Sequence, residues 1–231
     1  MSPRRSEGDG ARSRAPAGER PAGARSGRAA PLTPVRSAGK GGYLDRATVV
    51  RTAADVADRE GWSNLTLSRV AKEVDRHVTS LYAHIDSLED LRREVAVLAR
   101  GELAAEVWRA ALGRTREEAL AAIASVQRTY ARSHPGRTSA MLMESGLDDD
   151  ELRSIGLRLA EPTRATFRSF GLDDDQVAIA HSVFSSALRG LIVAEITDTF
   201  RFDDLDRTHA ELIELFVVAM STGSWPRKPT D

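Results

Sequence analysis

Two short helices joined by a tight turn are the element that this sequence specifies most clearly. The first segment runs from Leu65 to Val74 (LTLSRVAKEV) and the second from Val78 to Ile85 (VTSLYAHI). Leu81 and Ile85 recur at the spacing of one helix face, so we expect both to be buried. The pattern predicts a helix-turn-helix, although an ordinary helical hairpin in an all-α core would show similar spacing.

Polar side chains cluster around the turn and along the second helix. In a helix-turn-helix, the N-terminal end of the second helix approaches base edges in the DNA major groove. Thr79 and Ser80 can donate and accept hydrogen bonds there, and Arg69 and Lys72 on the outer face of the first helix can reach phosphates. The side chains expected to be exposed on the second helix are Arg76, His77, Thr79, Ser80 and Ala83.

The segment from about Asp45 to Leu91 resembles the DNA-binding half of the TetR family of bacterial regulators. The usual form in that family is L-T-x-x-x-L/V-A-x-x-x-G-V-S-x-x-x-L-Y-x-H-F. The chain departs from that form at Asp75, Arg76, His77 and Ile85. Asp tolerates the left-handed backbone better than most non-glycine residues, so we expect the turn to survive the loss of glycine. Arg76 and His77 replace a packing and a capping residue, and contacts to DNA are one interpretation of both.

The resemblance also implies phosphate contacts for three residues. Tyr82 and His84 are expected to donate hydrogen bonds to DNA phosphates. The Thr66 hydroxyl, or the backbone amides at the start of the first helix, is expected to do the same. A half-buried core aromatic is the alternative interpretation of Tyr82. The predicted partner is a palindromic double-stranded DNA operator. One short helix reads few base pairs, whereas a dimer places two DNA-reading helices on successive turns of the DNA.

The composition excludes several other kinds of site. The 231 residues include no cysteine, so no disulfide, metal thiolate or redox thiol is expected. No Gly-x-Ser-x-Gly elbow is present, the glycine-rich run at residues 39–42 lacks phosphate-loop spacing, and no two histidines lie at ligand spacing on one predicted helix. We therefore expect no enzyme activity, no cofactor and no metal. No apolar stretch approaches the roughly 18 residues of a membrane span, and no secretory signal is evident, so a cytoplasmic location is predicted.

Residues 1–42 differ in composition from the rest of the chain. They hold nine Lys or Arg residues and three acids, a net charge of +6, together with five prolines and eight glycines. This segment has too little apolar surface to offset the entropy of ordering, so it is predicted to be a disordered basic arm. Residues 43–95 carry a net charge of −2. The arm either tracks DNA or is a solvated tail.

After the arm, nearly all of the chain follows the hydrophobic spacing of amphipathic helices. Asp45, Ser87 and Thr115 are predicted to cap helix starts. Gly61 is predicted to end the helix that starts after Asp45. Pro162 is expected to kink a later helix or to split it in two. We therefore expect an all-α protein. Its parts are an N-terminal three-helix helix-turn-helix DNA-binding domain at residues 43–92, a C-terminal helical effector-binding and dimerisation domain at 93–223, and a tail at 224–231.

The C-terminal part bears a fainter resemblance to an effector-binding domain found in part of the TetR family. The signature is Trp-x-x-x-His-Gly, then a Glu and a Phe at five-residue intervals, and the same spacing here gives Ser185, Arg189, Gly190, Glu195 and Phe200. The predicted pocket lining, which suits an apolar small molecule, is Met141, Met143, Phe167, Phe170, Phe184, Ser185 and Arg189. Plain core packing is the alternative for each of them. Arg189 is expected to pair with Glu195 or with an acidic ligand.

These features together predict a sequence-specific, DNA-binding transcriptional regulator, most simply a repressor that a small-molecule effector releases from its operator. A helical interaction protein, or a DNA-binding activator without a ligand, is the alternative. Homodimerisation is expected through the last two helices, at about residues 176–198 and 205–222. Their apolar faces could equally belong to the core of a single chain.

Overall fold

The computed structural model describes residues 44–144, 149–197 and 204–225. Across these ranges the regular structure is helical, and no strand is found, so the expected all-α fold is confirmed. The predicted arm at 1–42, most of the predicted tail and Phe200 lie outside the described residues. The α-helices are α1 Arg46–Glu60, α2 Leu67–Glu73, α3 Val78–Leu81, α4 Leu88–Ala111, α5 Arg116–Ser133, α6 Pro135–Met143, α7 Asp150–Ser169, α8 Asp174–Thr197 and α9 Leu205–Ser221.

Most helix ends lie where the sequence places them, because local side-chain hydrogen bonds define them. Asp45 accepts a hydrogen bond from the Thr48 amide at 2.7 Å. Gly61 ends α1 at φ +91°, a conformation that other residues rarely adopt. Ser87 accepts from the Asp90 amide at 3.0 Å, as the predicted cap requires. These three interactions confirm the predicted limits of α1 and the predicted start of α4.

The expected cap at Thr115 is wrong. The Thr115 side chain makes no capping hydrogen bond, although α5 does begin immediately after it. Arg116 follows at φ +47°, which is unusual for a residue with a side chain. The guanidinium of Arg116 lies 5.9 Å from the centre of the Phe170 ring, so α5 starts from a packed turn rather than from a side-chain cap.

Pro162 does not split its helix, because a neighbouring helix supplies the hydrogen bond that proline cannot. Helix α7 runs without a break from Asp150 to Ser169. Proline has no N–H, so the carbonyl of Arg158, four residues earlier, loses its partner within the helix. The indole Nε1 of Trp108 on α4 donates to that carbonyl at 2.9 Å. This tertiary contact satisfies the freed backbone group and leaves the helix continuous.

The first four helices pack around a common hydrophobic core. Leu81 and Ile85 are buried in it, as the helical spacing predicts. Ala140 of α6 and Leu152 of α7 belong to the same cluster. The four N-terminal helices, α1 to α4, called the head below, are therefore packed directly against α6 and α7. The larger core side chains of the head are Val49, Val56, Leu65, Val70, Leu81, Ile85 and Leu91.

A second core joins α5, α7, α8 and α9. Phe167 of α7 meets Phe184 of α8 edge to face, with ring centroids 5.8 Å apart. Phe184 meets Phe216 of α9 in the same way at 5.0 Å. Edge-to-face aromatic pairs add to the free energy gained from burying the rings. This chain of three rings sets the positions of α7, α8 and α9.

Helix α6 lies against the C-terminal half of α1 with no space between the backbones. A Cβ atom built on Gly136 would lie 2.1 Å from the carbonyl carbon of Ala57. One residue later, the buried Arg137 guanidinium donates to Asp55 at 2.8 Å and also to Asp58. The Arg137 amide donates to the other Asp58 oxygen at 2.8 Å. Close approach and charge pairing therefore join α6 to α1.

Helix α8 contradicts the expectation that no segment is apolar and long enough to span a membrane. Among the described helices, α8 alone passes that test by length and composition. Core helices of soluble proteins commonly pass it too. In this fold α8 packs against α5, α7 and α9, and it carries Arg189 and Glu195. This packing buries 33% of the apolar window of α8, and Ile179 and Val183 remain exposed.

Candidate nucleic-acid interface and effector region

The turn between α2 and α3 takes the geometry that glycine usually provides, with aspartate in its place. Asp75 has φ +54°, in the left-handed region that Asp tolerates. Its amide donates to the Lys72 carbonyl at 3.2 Å, and the Arg76 amide donates to the Ala71 carbonyl at 3.0 Å. Replacement of glycine therefore leaves a closed turn, as expected.

The recognition segment, residues 76–85, exposes polar side chains on one side and buries Leu81 and Ile85 on the other. Arg76, His77 and Thr79 are exposed, and Ser80 is half-buried. His77 occupies the N-cap position of α3, where its side chain makes no capping hydrogen bond. A capping role therefore does not explain the presence of a histidine at position 77.

Tyr82 lies at the surface. Its side chain is 55% exposed, which favours a surface role over the half-buried core role. His84, two residues further on, is half-buried. Thus neither residue of this pair belongs to the buried core.

Three more of the predicted phosphate-binding residues belong to α2, from its N-cap Thr66 to Lys72 in its last turn. Thr66 caps the helix by accepting a hydrogen bond from the Arg69 amide at 3.4 Å, and its hydroxyl hydrogen remains able to donate. Arg69 forms an ion pair with Glu60 at 2.8 Å, and both side chains are partly exposed. Lys72 is exposed. Surface ion pairs of this kind are weak, so Arg69 can exchange Glu60 for a phosphate.

Arg46 holds the end of the recognition segment, a role that sequence analysis missed. Its guanidinium donates to the His84 carbonyl at 2.6 Å and to Asp90 at 2.8 Å. The hydrogen bond from Arg46 holds the pKa of Asp90 below its usual value. Arg46 is 38 residues from His84 and 44 from Asp90 in the chain, so no local pattern could have indicated the link.

The predicted effector residues lie in three different environments. Phe167 and Phe184 are fully buried, and Phe170 packs beside them in the same aromatic core. Met141 packs against the cluster formed by α4 and α5, whereas Met143 is 71% exposed. Ser185 is half-buried and Arg189 is exposed, both on α8. The structure therefore does not gather the seven residues around one cavity.

A cavity of about 300 Å³ lies elsewhere, between the C-terminal end of α4, the start of α5 and the second half of α7. None of the seven predicted effector residues lines it. Trp108 and Leu112 are exposed apolar side chains at its edge, and Pro162 lies in its wall. Sequence analysis missed this site because its lining comes from three separate helices. The lining residues are Trp108, Ala111, Leu112, Gly113, Arg114, Thr115, Arg116, Glu161, Pro162, Ala165, Thr166 and Ser169.

The expected pairing of Arg189 with Glu195 is wrong. Glu195 accepts two hydrogen bonds from Arg128 of α5, at 2.7 and 2.8 Å, in a bidentate ion pair. The side chains of Arg128 and Glu195 are only 13% and 16% exposed. Arg128 therefore satisfies Glu195 and ties α8 to α5, and the acidic-ligand alternative for Arg189 remains.

Comparisons with known proteins agree with this arrangement, in which the helix-turn-helix is followed by a helical body formed by α5 to α9. Residues 120–220 match the family described as "Tetracyclin repressor-like, C-terminal domain". An uncharacterized HTH-type transcriptional regulator of Mycobacterium tuberculosis is 37% identical over 180 residues, which cover 78% of this chain and 83% of the relative. The chain belongs to the TetR family. It is a DNA-binding transcriptional regulator.

Solved structures of low sequence identity share the fold. BioQ, solved with its double-stranded DNA operator, has a TM-score of 0.58 at 21% identity, covering 78% of this chain and 99% of BioQ. ActR of Streptomyces coelicolor, solved in complex with (S)-DNPA, has a TM-score of 0.58 at 18% identity, covering 78% of this chain and 98% of ActR. Nearly the whole length of both proteins thus has a counterpart in this fold.

Proposed function

We propose that this protein is a homodimeric repressor that binds a palindromic operator and leaves it when a small molecule binds the body. One observation carries the DNA-binding half of the proposal: exposed polar side chains lie along a recognition segment that the buried Leu81 and Ile85 hold in place. BioQ binds an operator through the same fold, and ActR binds a small molecule. Such a protein acts in the cytoplasm, where its DNA lies.

The proposed contacts divide into those that position the head and those that read sequence. Tyr82 and His84 contact phosphates near the end of the recognition segment. Thr66, Arg69 and Lys72 contact phosphates along α2, from its N-cap to its last turn. The side chains proposed to reach bases are Arg76, His77, Thr79 and Ser80. Phosphate contacts fix orientation without reading sequence, and base contacts supply the preference for one operator.

Replacing Tyr82 with Ala is expected to weaken binding to every duplex about equally, by about tenfold, since it removes one phosphate contact from each head. Thr79→Ala is expected to change the preferred sequence at one position in each half-site instead. Fluorescence anisotropy against the selected operator and its single-base variants separates the two outcomes. Tyr82→Ala should leave the melting temperature nearly unchanged, because the side chain is 55% exposed. Unfolding of that variant would restore the core interpretation.

The dimer interface is proposed to lie on the outer faces of α8 and α9. Large apolar side chains are exposed there although the opposite faces of both helices are buried. Exposed apolar side chains that cluster on adjacent helices mark interaction surfaces. A second copy of the same face would cover them in a four-helix arrangement. The exposed apolar residues are Ile179, Val183, Leu215 and Val218.

Leu215→Glu is expected to convert the dimer to a monomer and to lower operator affinity by at least tenfold. Each half-site is then bound by an independent head, and the buried charge opposes association. Light scattering and anisotropy measure the two effects. The matched control is Leu157→Glu on α7, the same substitution at a side chain that is 57% exposed on a different helix. A dimer that survives Leu215→Glu with full operator affinity would place the interface elsewhere.

A further inference from the structure

The cavity between α4, α5 and α7 has apolar walls on two helices. Trp108 and Leu112, at the C-terminal end of α4, line it and are 44% and 68% exposed. Pro162 and Ala165 of α7 also line it, and they lie three residues apart on one face of that helix. Exposed apolar side chains that gather around a concave site are typical of surfaces that a ligand covers.

The indole of Trp108 is held in place before any ligand binds. Its Nε1 donates to the Arg158 carbonyl on α7 at 2.9 Å, which fixes the ring between the two helices. A wall that is fixed in advance lowers the entropy cost of binding. Aromatic rings pair well with other rings, so this wall favours a flat aromatic ligand. The volume of about 300 Å³ is at the lower end for small-molecule sites and suits one or two rings.

Two arginines between α4 and the first turn of α5 bring positive charge to the cavity. Arg114 and Arg116 both line it, and both are exposed. Arg114 donates to the Ala110 carbonyl at 2.7 Å, and the guanidinium of Arg116 lies 5.9 Å from the centre of the Phe170 ring. Within the ranges that the structure describes, neither arginine forms an ion pair with a carboxylate. Both guanidinium groups can therefore bind a carboxylate of a ligand.

The carboxylates near these arginines already have other partners. Glu161 lines the cavity, but Arg168 donates to it at 2.9 Å. A hydrogen bond from Ser221, at 2.7 Å, lowers the pKa of Glu117, and the charge of Arg116 lowers it further. Glu117 therefore offsets part of the charge of Arg116 while its carboxylate is bound by Ser221. The charge that remains at the cavity favours an anionic ligand over a cationic one.

We propose that this cavity is the effector site and that the effector is an aromatic carboxylate of one or two rings. The inference rests on the proposed function, in which the body binds a small molecule. The ring of the ligand packs against Trp108 and covers Leu112, and its carboxylate binds Arg114 and Arg116.

Helix α4 connects the cavity to the recognition segment. Its 24 residues span about 36 Å at the rise of an α-helix. Near its N-terminal end, Asp90 binds Arg46 at 2.8 Å, and Arg46 donates to the His84 carbonyl at 2.6 Å. A ligand wedged between Trp108 and α7 shifts α4 and with it this anchor. The ligand lowers operator affinity to the extent that it binds the shifted arrangement more tightly.

Calorimetry on the full chain tests the class of ligand. Naphthoate is titrated into the protein, with naphthalenemethanol as the neutral analogue and decalincarboxylate as the saturated one. Naphthoate is expected to bind at least about tenfold more tightly than the alcohol and about threefold more tightly than the saturated acid. Equal affinity for the alcohol would overturn the anionic class, and equal affinity for the saturated acid would overturn the aromatic one. No binding of naphthoate at millimolar concentration would overturn the site.

Variants of the lining test the location. Arg114→Gln with Arg116→Gln is expected to reduce the preference for naphthoate over the alcohol to about twofold or less. Ala165→Leu makes the cavity smaller and is expected to weaken the binding of both by about tenfold. The matched control is Ala105→Leu, at an exposed position of α4 outside the lining, which is expected to bind both as the unchanged protein does. Full affinity for naphthoate in a folded Ala165→Leu variant would move the site elsewhere.

Operator binding distinguishes this inference from the proposed function. Naphthoate is expected to release the operator from the unchanged protein and not from Ala165→Leu, as measured by fluorescence anisotropy. Naphthoate that binds the cavity but leaves the operator complex intact would overturn the effector role of the site. A protein that binds no operator even without naphthoate would overturn the proposed function, whatever the calorimetry shows.

Discussion

Gly136→Ala is expected to destabilise the protein by about 3 kcal/mol or more and to abolish operator binding at ordinary temperatures. The new Cβ atom would lie 2.1 Å from the Ala57 carbonyl carbon, 2.2 Å from its oxygen and 2.4 Å from the Asp58 amide nitrogen. These are backbone atoms of a helix, so no side-chain rotation can relieve the overlap. Helix α6 must instead move away from α1, which carries the recognition segment through the shared core.

The matched control is Gly101→Ala in α4. A Cβ atom on Gly101 meets nothing within 4 Å, and the residue is exposed. Alanine is the better helix former, so that variant is expected to be more stable by up to about 1 kcal/mol. Urea unfolding followed by circular dichroism compares the two. Equal stability for both variants would mean that α1 and α6 are not in backbone contact in solution.

Arg137→Met is expected to cost about 3–5 kcal/mol, because it removes one member of a buried charge network. The Arg137 side chain is 9% exposed and binds Asp55, Asp58 and Glu102. Asp58 also accepts from His134, whose ring Nδ1 lies 3.1 Å away. Without Arg137, the Asp58 carboxylate remains buried with fewer donors. Breaking the network therefore costs more than an exposed ion pair would.

Acid unfolding tests the same network. Burial by itself would raise the pKa of Asp58, but hydrogen bonds from His134 and the Arg137 amide, together with the Arg137 charge, hold it below its ordinary value. The resulting stability is present above the unfolded pKa of about 3.9 and is lost as the pH falls through the lower folded value. In Arg137→Met the pKa of Asp58 is expected to rise. The midpoint of acid unfolding, followed by circular dichroism, should move to higher pH.

Two variants show whether charge burial is responsible. Asp58→Asn combined with Arg137→Met removes both charges, so it is expected to recover part of the loss seen for Arg137→Met alone. Arg132→Met removes an arginine that is 60% exposed and is expected to change stability by less than about 0.5 kcal/mol. If the double variant is less stable than Arg137→Met, the network contributes through packing rather than through charge.

Local patterns accounted for the helices and for the turn. Asp45, Gly61 and Ser87 mark helix ends through hydrogen bonds and dihedral angles within a few residues, which is why the sequence predicted them. Asp75 took the left-handed turn for the same local reason. Thr115 shows the limit of such prediction, since the packing of Arg116 on Phe170 replaced its expected cap.

The sequence by itself determined the helical fold and the recognition segment, because both depend on residues at most a few positions apart. Only the tertiary structure decided which distant residues meet. It paired Trp108 with the carbonyl freed by Pro162, and it bound Glu195 to Arg128 rather than to Arg189. It also brought Gly136 onto the α1 backbone. Such contacts depend on how helices cross, and the spacing of residues along one helix carries no information about the crossing of two.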